Sequence, residues 1–175
     1  MMQKNFYKLI TILVLFFVIG VFFSGLNKSS VYDTKKLVGY KLTNINLNHI
    51  NENRIITEED FNKNTFTLIN FWSSWCKPCR DEHVFLLKLN DEKNLKLLGV
   101  NFKDKKKHAF KFLNELGNPY DDIAFDEFGK ESINFGIYGI PESILVNRNL
   151  IIIKKFVGPI SDKDFEYIKR TIKNL

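Results

Sequence analysis

Two cysteines, and no others, occur among the 175 residues, and they stand together as Cys76-Lys77-Pro78-Cys79. An apolar, β-rich run, Thr67-Leu68-Ile69-Asn70-Phe71-Trp72, leads into the pair. A helical pattern, Val84-Phe85-Leu86-Leu87-Lys88-Leu89, leads out of it. The cysteines are therefore expected at a strand-to-helix junction, where the first helical turn has free N–H groups and a partial positive charge. A thiolate, the reactive form of cysteine, is stabilised there. The pair reads as a site of thiol–disulfide exchange, with Cys76 as nucleophile and Cys79 as resolving partner.

Other roles explain the pair less well. A bridge from Cys76 to Cys79 closes a very small loop, so loop entropy gives it little value as a staple. Zinc would want further ligands, yet there is no second Cys pair and His49, His83 and His108 are scattered, although His83 lies one turn beyond Cys79. Haem attachment through C-x-x-C-H is excluded because position 80 is Arg. No metal and no cofactor are expected; the redox group is the dithiol itself.

With 45% hydrophobic residues the chain can bury a core. Its net charge of +6 drops to +4 without the first 23 residues, which carry Lys4 and Lys8 and no acid. That excess is modest, and the one lysine run (Lys103, Lys105, Lys106, Lys107) reads as a solvated face beside a helix start. With no glycine-rich phosphate loop and no RNA-binding aromatic signature, a nucleic-acid partner is not expected.

Leu9 to Phe23 is almost wholly apolar, a length on the border between a signal-peptide core and a spanning helix. Around Val21-Phe22-Phe23-Ser24-Gly25 a cleavage site would leave a bulky residue at −3 or −1, so residues 1–25 are read as an uncleaved transmembrane anchor. Charge leaves the orientation open, with Lys4 and Lys8 before the segment and Lys28, Lys35 and Lys36 after it. Disulfide substrates lie mainly outside the cytoplasm, which places residues 24–175 on the extracytoplasmic side. A polar linker is expected over 26–36 and a globular domain over 37–175.

Within the domain, Leu37 to Leu47 alternates weakly and suggests an early strand or hairpin, continued by Ile55-Ile56 and Phe61. Strands are expected over 65–72, 95–102 and 123–125, with helices over 78–90 and 105–116 between them. A helical turn over 128–135, two strands at 143–146 and 150–156, and a last helix opened by Ser161 and Asp164 complete the order. The strand–helix–strand part requires parallel pairing, and the final hairpin adds antiparallel strands. The fold class is α/β, a central mixed sheet flanked by helices with an N-terminal extension: the thioredoxin pattern.

Three separated blocks carry a closer resemblance. Asn70-Phe71-Trp72-Ser73-Ser74-Trp75-Cys76-Lys77-Pro78-Cys79-Arg80-Asp81-Glu82-His83 resembles the W-A-S-W-C-x-x-C-x-x-E-H stretch of the CcmG/DsbE family. Gly99-Val100-Asn101-Phe102-Lys103-Asp104 is similar to its G-x-N-Y-K-D strand end, and Gly136-Ile137-Tyr138-Gly139-Ile140-Pro141-Glu142-Ser143 to its G-V-Y-G-x-P-E-T segment. One departure is visible near Gly39-Tyr40-Lys41-Leu42, which lacks the proline of the family's G-x-x-x-P segment.

The resemblance implies a membrane-anchored thiol:disulfide oxidoreductase of cytochrome c maturation, held in the bacterial inner membrane by one span with its catalytic domain in the periplasm. It implies apocytochrome c, or a maturation factor that handles it, as the substrate whose haem-site cysteines are reduced. It also implies electrons from a membrane transporter of the DsbD/CcdA type. Alternatives are a general periplasmic thiol reductase and, more remotely, a copper-binding assembly factor, for which His108 would have to supply a third soft ligand.

Around Cys76 and Cys79, Pro78 removes a donor near the sulfurs, Lys77 either adds charge there or faces solvent, and Trp75 covers the site while Trp72 belongs to the core. Pro141 matches the cis-proline that faces the cysteines in this fold, with an adjoining backbone able to pair with an extended substrate. Glu82, one turn past Cys79, and Glu142 are the family's acids, expected to act together on thiol protonation, with Tyr138 lining the same groove. His83 is expected to be structural.

Overall fold

A computed structural model of the chain describes residues 2–26 and 37–173. The expected linker over 26–36 lies almost entirely outside the described residues. Helix α1 (Met2–Leu26) contains a window, Phe6–Gly25, long and apolar enough to cross a membrane by length and composition. It forms a unit of its own, separate from the domain that follows.

Five strands make the domain's main sheet: β3 (Phe66–Trp72), β4 (Leu95–Phe102), β5 (Asp122–Asp126), β6 (Glu142–Asn147) and β7 (Ile152–Val157). Their spatial order is β5-β4-β3-β6-β7. The β3–β4 and β4–β5 pairs are parallel, while β3–β6 and β6–β7 are antiparallel. Connections run through α2 (Lys77–Asn90) and α3 (Lys106–Leu116), then the short α4 (Lys130–Asn134), and end in α5 (Asp162–Lys173). This is the expected order of elements. Helix α5 opens with the expected reciprocal cap, in which Ser161 Oγ accepts from the Asp164 N–H and Asp164 Oδ2 accepts from the Ser161 N–H, both at 3.3 Å.

β3 is buried at all seven positions, so its side chains serve two cores in alternation. Phe66, Leu68 and Trp72 face a cluster built with Leu86 and Leu89 of α2, Phe112 and Leu113 of α3, and Ile168 and Ile172 of α5. Ile69 and Phe71 face the other cluster, built with Ile45, Leu47, Ile56 and Phe61 of the extension and Phe135 and Ile137 after α4. The extension thus supplies much of the apolar cover on the sheet face that α2, α3 and α5 leave open.

The extension does this with less strand than its alternation suggests. Only Leu47–Asn48 (β1) and Ile55–Ile56 (β2) pair, as a small antiparallel ribbon. Residues 37–46 instead run beside Leu150–Ile152, with one bridge at Lys41–Ile151. Gly39 at φ 86° and Asn44 at φ 59° interrupt any extended run, and Val38 and Tyr40 are exposed rather than packed. Asp122 on β5 ties the extension down, accepting from Arg54 at 2.6 Å and lying 3.1 Å from His49 and 3.2 Å from Lys96.

Gly99 in β4 is required by a close approach. A Cβ there would stand 2.7 Å from the Tyr120 ring, which stacks on Trp72 at 5.5 Å. Gly99→Ala is expected to destabilise the domain by about 1–3 kcal/mol through overpacking. Urea unfolding of the wild type and the variant measures this; unchanged stability would show that the Tyr120 ring is free to yield.

Candidate active site

β3 ends at Trp72, and the chain turns through Ser73-Ser74-Trp75 into α2. Cys76 is the N-cap of that helix, in extended conformation, and its sulfur accepts the Cys79 backbone N–H at 3.1 Å. Pro78 occupies the first turn, where its missing N–H costs nothing. Cys76 and Cys79 are joined in a disulfide with Cα atoms 5.3 Å apart. Both are buried, so exposure does not distinguish them, but position does. Cys76 sits where helix N–H groups and the dipole stabilise an anionic sulfur, and Cys79 lies within the turn.

Asp104 fixes the turn that delivers Cys76. Its carboxylate accepts from Ser74 N at 2.7 Å, Ser74 Oγ at 2.9 Å, Asn101 Nδ2 at 3.1 Å and Lys105 N at 2.7 Å. Burial alone would raise its pKa, but these hydrogen bonds outweigh burial and hold it below the ordinary carboxylate value. The aspartate was visible in sequence as part of the strand-end block, but its partner Ser74 lies 30 residues away and could not be read from spacing. Trp75 donates from Nε1 to the Lys103 carbonyl at 3.0 Å and remains 61% exposed, so it forms an outer wall rather than a lid. Trp72 is core, as expected.

Lys77 is settled by geometry. Its side chain is 84% exposed and pairs with Asp81 at 3.3 Å along the helix surface, rather than turning toward the sulfurs. His83 is structural, with Nε2 at 2.9 Å from the Gly117 carbonyl and its ring edge-on to Phe112. Burial lowers its pKa, with the Gly117 contact opposing and Arg80 adding to the shift. His108 lines a cleft with Arg80 and Lys111, a cationic setting unsuited to a soft metal ion.

Glu82 departs from the usual fate of an acid near a helix start. It is only 1% exposed, on the inner face of α2, and both oxygens are engaged. Oε1 accepts from Asn70 Nδ2 at 2.8 Å and Oε2 from the Ile160 N–H at 2.6 Å. Burial pushes its pKa up to about 7, against the lowering effect of the hydrogen bonds from Ile160 and Asn70. Asn70 also donates to Ser143 Oγ at 2.9 Å and accepts from the Tyr120 hydroxyl at 2.8 Å. Tyr120 is held well above its ordinary pKa by burial and by the neighbouring Glu82 charge.

Pro141 follows a cis peptide bond from Ile140, as expected. β6 begins opposite Phe71, so Pro141 lies at the same end of the sheet as the Trp72–Cys76 turn. Ile140 packs against the cluster that contains both cysteines. Glu142, however, does not join Glu82. Asn70 pairs with Ser143 and Phe71 with Glu142, which puts Glu142 on the opposite sheet face from Asn70 and Glu82. The expectation that the two acids act together is corrected by this register. Glu142 accepts instead from the Tyr138 and Gly139 N–H groups at 3.3 and 3.1 Å and pairs with buried Lys155 at 2.6 Å. Tyr138 is 76% exposed, on the surface of the segment that leads to Pro141. Lys155 and Asn70 escaped the sequence reading because one is a lysine in a strand and the other a lone polar residue in an apolar run.

Comparison with known proteins agrees with this geometry. The Redoxin family model matches residues 37–172. The thiol:disulfide interchange protein DsbE of Haemophilus influenzae is 35% identical over 127 residues, covering 73% of this chain and 70% of that protein. DsbE of Vibrio cholerae is 34% identical over 152 residues, 84% of this chain and 82% of its own length. The thiol:disulfide interchange protein CycY of Rhizobium leguminosarum is 48% identical over 97 residues, 55% of this chain and 52% of that relative. A crystal structure from Chlorobium tepidum, assigned as a thiol:disulfide interchange protein DsbE, superposes with a TM-score of 0.67 at 26% identity, covering 78% of this chain and 96% of that one.

The pKa of Glu82 makes stability depend on pH. Unfolded, the group titrates near 4.5; folded, near 7, so between those values the folded state binds more protons. Its contribution is full below about pH 4.5, falls as pH rises, and levels off above about 7, a loss on the order of 3 kcal/mol. Glu82→Gln is expected to flatten that slope in urea titrations of the oxidised protein from pH 4 to about 8. An undiminished slope would assign it to another group.

Proposed function

The chain belongs to the Redoxin family and, within it, to the CcmG/DsbE thiol:disulfide interchange proteins, and on that premise we propose that it reduces the haem-site disulfide of apocytochrome c, or of a factor that handles it. The observation that carries the reading is the Cys76–Cys79 pair at the start of α2, backed by a buried carboxyl that titrates near neutrality.

The reduced protein begins the cycle. The Cys76 thiolate attacks one sulfur of the substrate disulfide; a Cys76–substrate bond forms and the other substrate sulfur leaves as a thiolate. Cys79 then attacks Cys76 Sγ, closing the disulfide seen here and releasing the second substrate thiolate. Two electrons pass from the dithiol to the substrate, and the released thiolates take up two protons. Glu82 lies one turn from Cys79 on α2, and when ionised it is the base that receives the Cys79 proton. That step favours oxidation of the dithiol and supports the reductive sense. Ile140 and Pro141 dock the substrate backbone beside Cys76, with Trp75 and Tyr138 as flanking apolar surface.

The remaining roles follow from the same reading. α1 anchors the protein in the bacterial inner membrane by a single span, with the catalytic domain in the periplasm. An oxidising compartment does not regenerate a dithiol, so a DsbD/CcdA-type membrane donor supplies the electrons. No bound cofactor is invoked.

Cys76→Ser is expected to abolish reduction of a disulfide peptide with the Cys-x-x-Cys-His haem-attachment sequence. Cys79→Ser is expected to stop after the first half-reaction and hold its substrate covalently. Pull-down of the Cys79→Ser adduct is the decisive measurement. Recovery of apocytochrome c or its handling factor supports the proposal; a broad set of exported proteins would replace it with the general reductase.

A further inference from the structure

We propose that Lys155 is a positioning residue for substrate docking, acting through its buried ion pair with Glu142 on the segment from Gly136 to Pro141. This rests on the reading of Ile140–Pro141 as the docking surface.

Lys155 lies in β7 with its side chain fully buried. It is paired with Ile144 across the strands and faces the cluster that holds Phe71, Phe135 and Ile137. An ammonium group is costly to bury, and lysine is almost never found wholly inside without a partner. Here Nζ lies 2.6 Å from Glu142 Oε2, donates to the Gly136 carbonyl and sits 5.7 Å from the Tyr138 ring centroid. The other Glu142 oxygen accepts the N–H groups of Tyr138 and Gly139. One ion pair therefore grips three backbone groups within four residues.

That segment has little shape of its own. It contains Gly136, at φ 69°, and Gly139, and it lies between α4 and β6, outside the sheet ladder. A buried ion pair adds little net stability over a well-packed apolar pair of similar volume, so its contribution here is direction. The hydrogen bonds specify where Gly136, Tyr138 and Gly139 stand relative to β6 and β7, which an apolar pair would leave loose. Because Ile140 packs against the cluster containing Cys76 and Cys79, the placement of Gly136–Gly139 is carried to the residues beside the disulfide.

The test uses the reduced full-length protein in detergent and two oxidants. One is an oxidised peptide with the Cys-x-x-Cys-His sequence, which needs a docking surface. The other is bis(2-hydroxyethyl) disulfide, which is too small to use one. Lys155→Met is expected to raise the half-saturating peptide concentration by about tenfold or more, with the limiting rate and the small-disulfide rate changed less than about twofold. Lys155→Met leaves Glu142 buried and unpaired, so Glu142→Gln/Lys155→Met serves as the second variant. It removes both charges and is expected to regain thermal stability while the half-saturating concentration stays raised, since Gly136 still lacks its donor.

A half-saturating concentration that returns to the wild-type value along with stability would overturn the positioning role. So would an equal loss with both disulfides, which would place the effect on the cysteines. Wild-type protein that reduces neither disulfide would instead remove the functional reading on which the role rests.

Discussion

The Asn70 side chain is the junction on which the domain depends. It stands in the middle of the central strand and uses every polar atom it has: both amide hydrogens go out, to Glu82 and Ser143, and its oxygen takes the Tyr120 hydroxyl. Through these bonds β3 is tied to β6, to α2 and to Tyr120, whose ring lies over Gly99 of β4. Glu82 extends the network to Ile160, just before α5. A buried polar group left unsatisfied costs about 1–3 kcal/mol, so each member of such a network is required by the others. This holds α2 in one position on the sheet, and with it the cysteines at its start.

The reactive end is then built by convergence of chain ends. β3 stops and α2 begins at Cys76, β4 stops and presents Asp104 and the Lys103 carbonyl, and β6 starts at the Pro141-Glu142 step. Asp104 holds the turn before Cys76 through Ser74, while Lys155 and Glu142 hold the segment before Pro141. The turn and the segment are each held by a carboxylate that bonds backbone N–H groups rather than by regular structure. Loops that carry chemistry are in this way given defined positions by a rigid sheet.

Much of this was legible in the sequence because it is local. The apolar runs of β3 and β4, the helical stripe of α2, the Ser161 cap and the C-x-x-C spacing each declare themselves within a few residues. Pro141 and both cysteines fall where the pattern puts them. The extension was misread as strand because alternation is common in short polar–apolar stretches, and its conformation is set by Gly39, Asn44 and the neighbouring Leu150–Ile152 edge. The separation of Glu82 from Glu142 was illegible for a different reason. Which face a strand residue takes depends on register with its neighbour, and a shift of one residue would have reversed it.

Glu82 shows how stability and chemistry are joined in this site. Moving a carboxyl into the core favours its neutral form, and only two N–H donors, from Asn70 and Ile160, keep ionisation near neutral pH instead of well above it. The ionised form, which can accept a proton from Cys79, is therefore also the form in which the fold is least stable. A surface acid would avoid that cost, but its pKa would lie too low to take a proton from a thiol. Burial raises the basicity, and the Asn70 and Ile160 bonds limit how far it rises. The central strand therefore carries one polar residue in an otherwise apolar run, and that residue faces the helix that carries the cysteines.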